Sequence, residues 1–167
     1  DGDEEAAGVP ADASNLVLVA ARRLMDHLGI GMDEGEDESG PWSRLHLTKR
    51  IPVAAGMAGG SADAAAALVG LNRLWGADLT IGALCDIAAT VGSDVPFCVV
   101  GGTGLATGTG TSVARVLTRG TTHWAIGIDH APLSTADVYA AFDRLEPPAP
   151  TGPDQVLHAL RMGDLDG

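Results

Sequence analysis

Apolar side chains recur at helical spacing in five stretches of the chain. Leu16, Val17, Ala20, Leu24 and Leu28 fall on one face, with Ser14 placed to cap the start of that helix and Gly29 to stop it. Ala64, Ala67, Leu68, Leu71, Leu74 and Trp75 mark the buried face of a second, Ala-rich helix. Thr80 caps a third through Ile81, Leu84, Ile87, Ala88 and Val91, which Gly92 closes. Ser134 caps a fourth through Val138, Tyr139, Phe142 and Leu145. A fifth occupies residues 154–162, after a proline-bearing linker at 147–153.

Strand signals lie between these helices. Leu45 and Leu47 alternate with polar residues and predict a half-buried strand over 45–51, which Pro52 ends. The stretch GSDVPF reads as a turn that is not helical before Pro96, and residues 97–100 as an apolar strand behind it. Further strands are expected over 112–117 and 123–128. The acidic segment 31–41 carries no periodicity and reads as a loop or hairpin tip, and the segment 101–110 is Gly/Thr-rich.

With 167 residues the chain suits one ordinary domain or two small ones. Only 4% is aromatic against 46% apolar, so the core has to be built from aliphatic and small side chains. The net charge of −12 is mostly local: residues 1–40 hold 11 Asp or Glu against two Arg, the remainder 11 against eight basic residues. The acidic runs therefore read as solvated stretches. The scattered basic residues form no stripe, which argues against a nucleic-acid partner. No apolar run approaches the ~20 residues of a membrane-spanning helix, and no secretory signal opens the chain. Cys85 and Cys98 stand in no CxxC spacing and read as buried thiols, so a cytoplasmic protein is expected. The five His stand singly, and no residue is assigned to a metal.

One stretch carries chemistry of its own. Between the predicted strand and the Ala-rich helix the chain is built almost entirely of small residues. The first turn of a helix offers unpaired N–H groups and the positive end of its dipole, which makes it a natural anion site. Gly56, Gly59 and Gly60 leave no side chain between such amides and a phosphate, and the Ser61 hydroxyl stands where it caps the helix or touches a phosphate oxygen or its Mg²⁺. No Lys follows the glycines, so this is not a Walker A loop. The alternative is close packing of the helix on its neighbours. For Asp94 a capping or turn carboxylate, bonded to the backbone of Val95 or Phe97, is the alternative to chemistry.

The stretch PVAAGMAGGSADAAAALVGLNRLW, residues 52–75, resembles the ATP-binding motif of the GHMP small-molecule kinases, and GSDVPF, residues 92–97, resembles their second motif. Weaker agreement at Ser14, Asn15 and Leu16, over 101–110 and over 133–139 extends the resemblance to roughly residues 14–145. It is greatest to the branch of the family that phosphorylates the 2-hydroxyl of 4-diphosphocytidyl-2-C-methyl-D-erythritol. Kinases of the mevalonate or homoserine type, or a non-catalytic nucleotide-binding fragment, are the alternatives.

The resemblance implies an α+β, two-domain kinase fold, incomplete here at both ends. Residues 1–118 would belong to the ATP-binding domain and 119–167 would open the substrate domain. It implies ATP with Mg²⁺, a cytidylyl-bearing small molecule as partner, and Asp94 as the catalytic aspartate. The ATP loop falls on Pro52, Val53, Ala54, Ala55, Gly56, Met57, Ala58, Gly59, Gly60, Ser61 and Ala62. Asn15 and Leu16 match residues lining the adenine pocket, and Thr135 and Tyr139 match the segment bordering the substrate. Ala54, Ala55 and Ala58 stand where many family members have Gly, which requires negative φ at all three. Asp63 is expected to point away from the phosphates. The family's N-terminal catalytic Lys and its C-terminal glycine loop are unmatched, so the chain is expected to be a piece of a longer kinase with little turnover alone. Lys49, the one Lys present, precedes the loop and receives no role.

Overall fold

The computed structural model describes residues 8–31, 43–51, 53, 55–127, 134–145, 149 and 151–164. The helix predicted first is α1, Leu16–Leu28; Gly29 ends it in the left-handed conformation at φ 67°. Its N-cap is Asn15 rather than Ser14. The Asn15 Oδ1 accepts the Val17 N–H at 3.0 Å, whereas the Ser14 hydroxyl and N–H both turn back to Asp12. The Ala-rich helix is α2, Gly59–Leu74, and Thr80 caps α3, Ile81–Ala89, by accepting from the Ala83 N–H at 3.2 Å.

Residues 95–100 form a short helix, α4 (Val95–Val100), and not the expected turn and strand. Pro96 sits in its first turn, where a missing N–H would have no intrahelical acceptor in any case. A brief apolar run does not by itself distinguish strand from buried helix, and packing decides here. Val95, Pro96 and Val99 are buried against α2 and α3.

The Gly/Thr-rich segment yields β1, Gly104–Thr107, which pairs antiparallel with β2, Ser112–Arg115, in the register Gly104 to Arg115 and Thr107 to Ser112. The strand at 104–107 was not expected, and the expected strand 112–117 is shortened. Residues 43–51 and 123–127 are unpaired: among the described residues no strand lies beside either to complete a ladder. Trp124 and Ile126 are accordingly 83% and 67% exposed. The acidic run in 32–42 lies outside the described residues, as do Ile128 and the linker positions 146–148 and 150.

α5, Thr135–Asp143, is capped by Ser134, whose hydroxyl accepts from the Asp137 N–H at 3.3 Å, and α6 spans Asp154–Met162. Neither helix contributes a buried residue. The Arg119 N–H donates to the Leu160 carbonyl at 2.9 Å and ties α6 to the chain beyond the hairpin.

The core lies between α1, α2, α3 and α4. Ala20 and Leu24 meet Ala64, Leu68 and Leu71 across the first two helices, and Leu84, Ile87, Val95 and Val99 close the other side. Small side chains on both α1 and α2 allow their axes to approach closely. Leu74, placed on the buried face by its spacing, is 68% exposed, because α2 ends there and Trp75 is its C-cap.

Candidate functional site

α2 begins where residues 43–51 end. The Trp75 indole N–H donates to the Ser43 Oγ at 2.9 Å, the Lys49 ammonium pairs with the Asp63 carboxylate, and Ile51 lies against Gly59. The steps from Ser43 to Lys49, at about 3.3 Å per residue, and from Asp63 to Trp75, at about 1.5 Å per residue, both come to roughly 18–20 Å. The segment therefore runs extended and antiparallel along α2, as a strand would, and delivers the chain to the loop at the helix N-terminus.

That N-terminus opens onto a cavity of about 820 Å³. The N-cap is Ala58, which has no side-chain acceptor, so the first-turn N–H groups of α2 carry no cap. α1, α3 and α5 are all capped by side chains. Ser61 is inside the helix and is not its cap. Ala58 adopts φ 48°, against the expectation of negative φ; Ala55 is not in the positive-φ region, and Ala54 lies outside the described residues, as does Pro52. Gly56, at φ 68°, turns the loop in a conformation open mainly to glycine. Gly59 serves close approach: a Cβ there would stand 2.9 Å from both Cβ and Cγ2 of Ile51.

Of the loop residues, Val53, Ala55, Gly56, Met57, Ala58, Gly59, Gly60 and Ser61 line the cavity; Ala62, one step further into α2, does not. Asn15 and Leu16 line it from α1. Both ends of the Asn15 amide are engaged, Oδ1 as the cap and Nδ2 donating to the Pro10 carbonyl at 2.7 Å. Asp94 reaches the same cavity from the start of α4. Its side chain makes no capping bond, and the residue is exposed. Thr135 reaches it from the first residue of α5, while Tyr139 does not line it and is 66% exposed. Beside Asp94, burial first and the carboxylate second push the Cys98 thiol above its ordinary range.

Two charged lining residues escaped the sequence reading, besides the uncharged Gly8, Val9, Pro10 and Leu47. Asp63 faces the cavity and is neutralised there by Lys49, contrary to the expectation that it points away. The sequence signal for Lys49 was its singularity, the one Lys in the chain, fourteen residues from Asp63 and on the opposite side of the loop.

The family described as GHMP kinases N terminal domain matches residues 15–102. The chain is 48% identical, over 93% of its length, to a 4-diphosphocytidyl-2-C-methyl-D-erythritol kinase of Nocardioides sp. (strain ATCC BAA-499 / JS614), covering 50% of that protein. It is 47% identical, over 96%, to the protein of the same name from Salinispora tropica, again covering 50%. A crystal structure of 4-(cytidine 5'-diphospho)-2C-methyl-D-erythritol kinase superposes with a TM-score of 0.64 at 28% identity, over 93% of this chain and 53% of that one. The chain thus spans about half the length of the curated relatives it matches. Uncapped amides above a cavity recur in unrelated folds, but here they sit inside a match that runs from α1 through α4, and on that match the chain belongs to the GHMP kinase family.

Proposed function

We propose that the protein carrying this chain transfers the γ-phosphoryl group of ATP to the 2-hydroxyl of 4-diphosphocytidyl-2-C-methyl-D-erythritol, in the cytoplasm, as a step of non-mevalonate isoprenoid precursor synthesis. The names of the relatives support the substrate. The observation that carries the chemistry is the uncapped Asp94 carboxylate opening onto the same cavity as the uncapped first turn of α2. The Gly59, Gly60 and Ser61 amides receive the phosphates, and Leu16 supplies apolar surface to the adenine. The acceptor hydroxyl forms the new O–P bond as the bond from the γ-phosphorus to the β-phosphate oxygen breaks. ADP leaves with the bonding pair, and the hydroxyl proton passes to Asp94. Thr135, and with it Tyr139 one turn further along α5, border the acceptor. Residues 1–118 are assigned to the ATP domain and 119–167 to the start of the substrate domain.

Phosphoryl transfer also calls for Mg²⁺. The described residues hold no cluster of three His, Cys, Asp or Glu side chains. Asp94 and the Ser61 hydroxyl are the protein groups that would hold a Mg²⁺ bound mainly by the ATP phosphates, where it would neutralise their charge.

Asp94→Asn in the full-length protein tests the reading, because Asn keeps the shape but takes no proton at neutral pH. The expected result is a fall in kcat of about 100-fold or more with ATP affinity and melting temperature unchanged. Parental turnover in the variant removes Asp94 from the mechanism. Turnover on mevalonate or homoserine instead of the cytidylyl substrate removes the substrate assignment.

A further inference from the structure

Lys49 occupies an unusual position for a surface ion pair. Its side chain is only 9% exposed, yet it lines the cavity, and its ammonium lies 3.1 Å from where a Cβ on Gly59 would stand. The cation is therefore set against the first residue of α2, beside the amides that carry no cap. An ammonium has three N–H donors. Asp63 accepts one, and among the described residues no other protein acceptor meets Lys49. Two donors remain at the wall of the cavity, nine-tenths buried.

Charge points the same way. Among the described residues the charged side chains lining the cavity are Lys49, Asp63 and Asp94, a balance of one cation against two carboxylates. A nucleotide diphosphate or triphosphate entering such a space needs compensation from more than amide dipoles. Lys49 is the one cationic side chain that the described lining offers.

Resting on the nucleotide site proposed above, we propose that Lys49 binds the phosphate chain of the nucleotide with its two free donors, and that Asp63 is the positioning residue that holds the ammonium beside Gly59. Asp63 faces the cavity without repelling the ligand because its charge is spent on Lys49. The rival is a purely mechanical pin, in which the pair only fastens residues 43–51 to α2 beside the Trp75 to Ser43 bond.

Calorimetry on the full-length protein separates the two, with ADP titrated directly and adenosine read by competition against it. Lys49→Gln is expected to weaken ADP at least ten-fold and leave adenosine within two-fold of the parent, because only ADP carries the phosphates. Lys49→Arg restores most of the ADP affinity, and Asp63→Asn, which keeps the cation but releases its hold beside Gly59, is expected to weaken ADP by about three-fold and leave adenosine unchanged; Asp63→Asn binding ADP like the parent removes Asp63 from the proposal. Lys49→Gln binding ADP like the parent overturns the proposal, as does an equal loss of ADP and adenosine, which is the signature of a deformed pocket. If Lys49→Gln does not fold, the pair Lys49→Met with Asp63→Leu replaces the ion pair by apolar contact, and the same ADP-selective loss is required of it. A parent that binds ADP with an unaffected variant sinks this proposal alone, whereas a parent that binds neither ADP nor ATP overturns the nucleotide site and the proposal together.

Discussion

Ala58 sets the geometry of the phosphate loop with a backbone that disfavours it. At φ 48° its Cβ crowds the backbone, at a cost of about 1–2 kcal/mol relative to the right-handed region. Glycine removes that crowding but adds about 0.5–1 kcal/mol of unfolded-chain entropy. Ala58→Gly should therefore raise stability by roughly 0.5–1 kcal/mol, or about 1–4 °C in melting temperature for a chain of this size; an unchanged or lower melting point would show that the turn carries no such strain. Gly59 behaves differently. Its problem is space, since Ile51 stands 2.9 Å from the added Cβ, with Lys49 beside it. Gly59→Val should cost about 1–3 kcal/mol by overpacking, and because the clash displaces Lys49 it should lower nucleotide affinity and melting temperature together. Gly56→Ala meets no atom within 4 Å and should show backbone strain alone. That glycines mattered here was legible in the sequence; which of them serve a turn and which a contact depends on Ile51, and no local pattern contains Ile51's position in space.

At the scale of elements, α2 joins the core to the site. Leu68 is fully buried between α1 and the other core helices, eight residues beyond Gly60, which lines the cavity. Leu68→Ala should destabilise by about 2–5 kcal/mol, measured by denaturant titration, and a cost below 1 kcal/mol would mean that this core collapses around the gap. The helices that their apolar spacing predicted are present, and Thr80 and Ser134 cap two of them as expected. Such elements are legible because their hydrogen bonds are internal to the segment. The strand predictions fared worse for the complementary reason: a ladder needs a partner. Residues 43–51 have the extension of a strand and a packing partner in α2, but no neighbouring strand among the described residues. Residues 97–100, apolar and short, took the helical alternative because Pro96 is tolerated in a first turn and Val99 finds a core to enter.

Over the whole molecule, both thiols lie against the helical core. Burial raises Cys85 and Cys98 above the ordinary value of 9.0, and the carboxylates of Asp86 and Asp94 add to it. A raised folded pKa means that the fold favours the neutral thiol. The associated stability is fully present below pH 9 and is lost as pH rises through the folded values. The melting temperature of the parent should fall more steeply above pH 9 than that of a Cys85→Ala, Cys98→Ala variant; parallel curves would show that the thiols are not linked to folding. What the sequence determined about this protein is what lies within a few residues: five of the six helices among the described residues and most of their ends, and the glycine loop and GSDVPF motif that point to the GHMP kinases. Only the tertiary structure decided that Asn15 rather than Ser14 caps α1, that the Asp94 carboxylate is left uncapped, and that Lys49 meets Asp63 beside Gly59. Each of these is settled by a group brought close through packing, and the energy of such a contact depends on a distance in space that separation along the chain does not set.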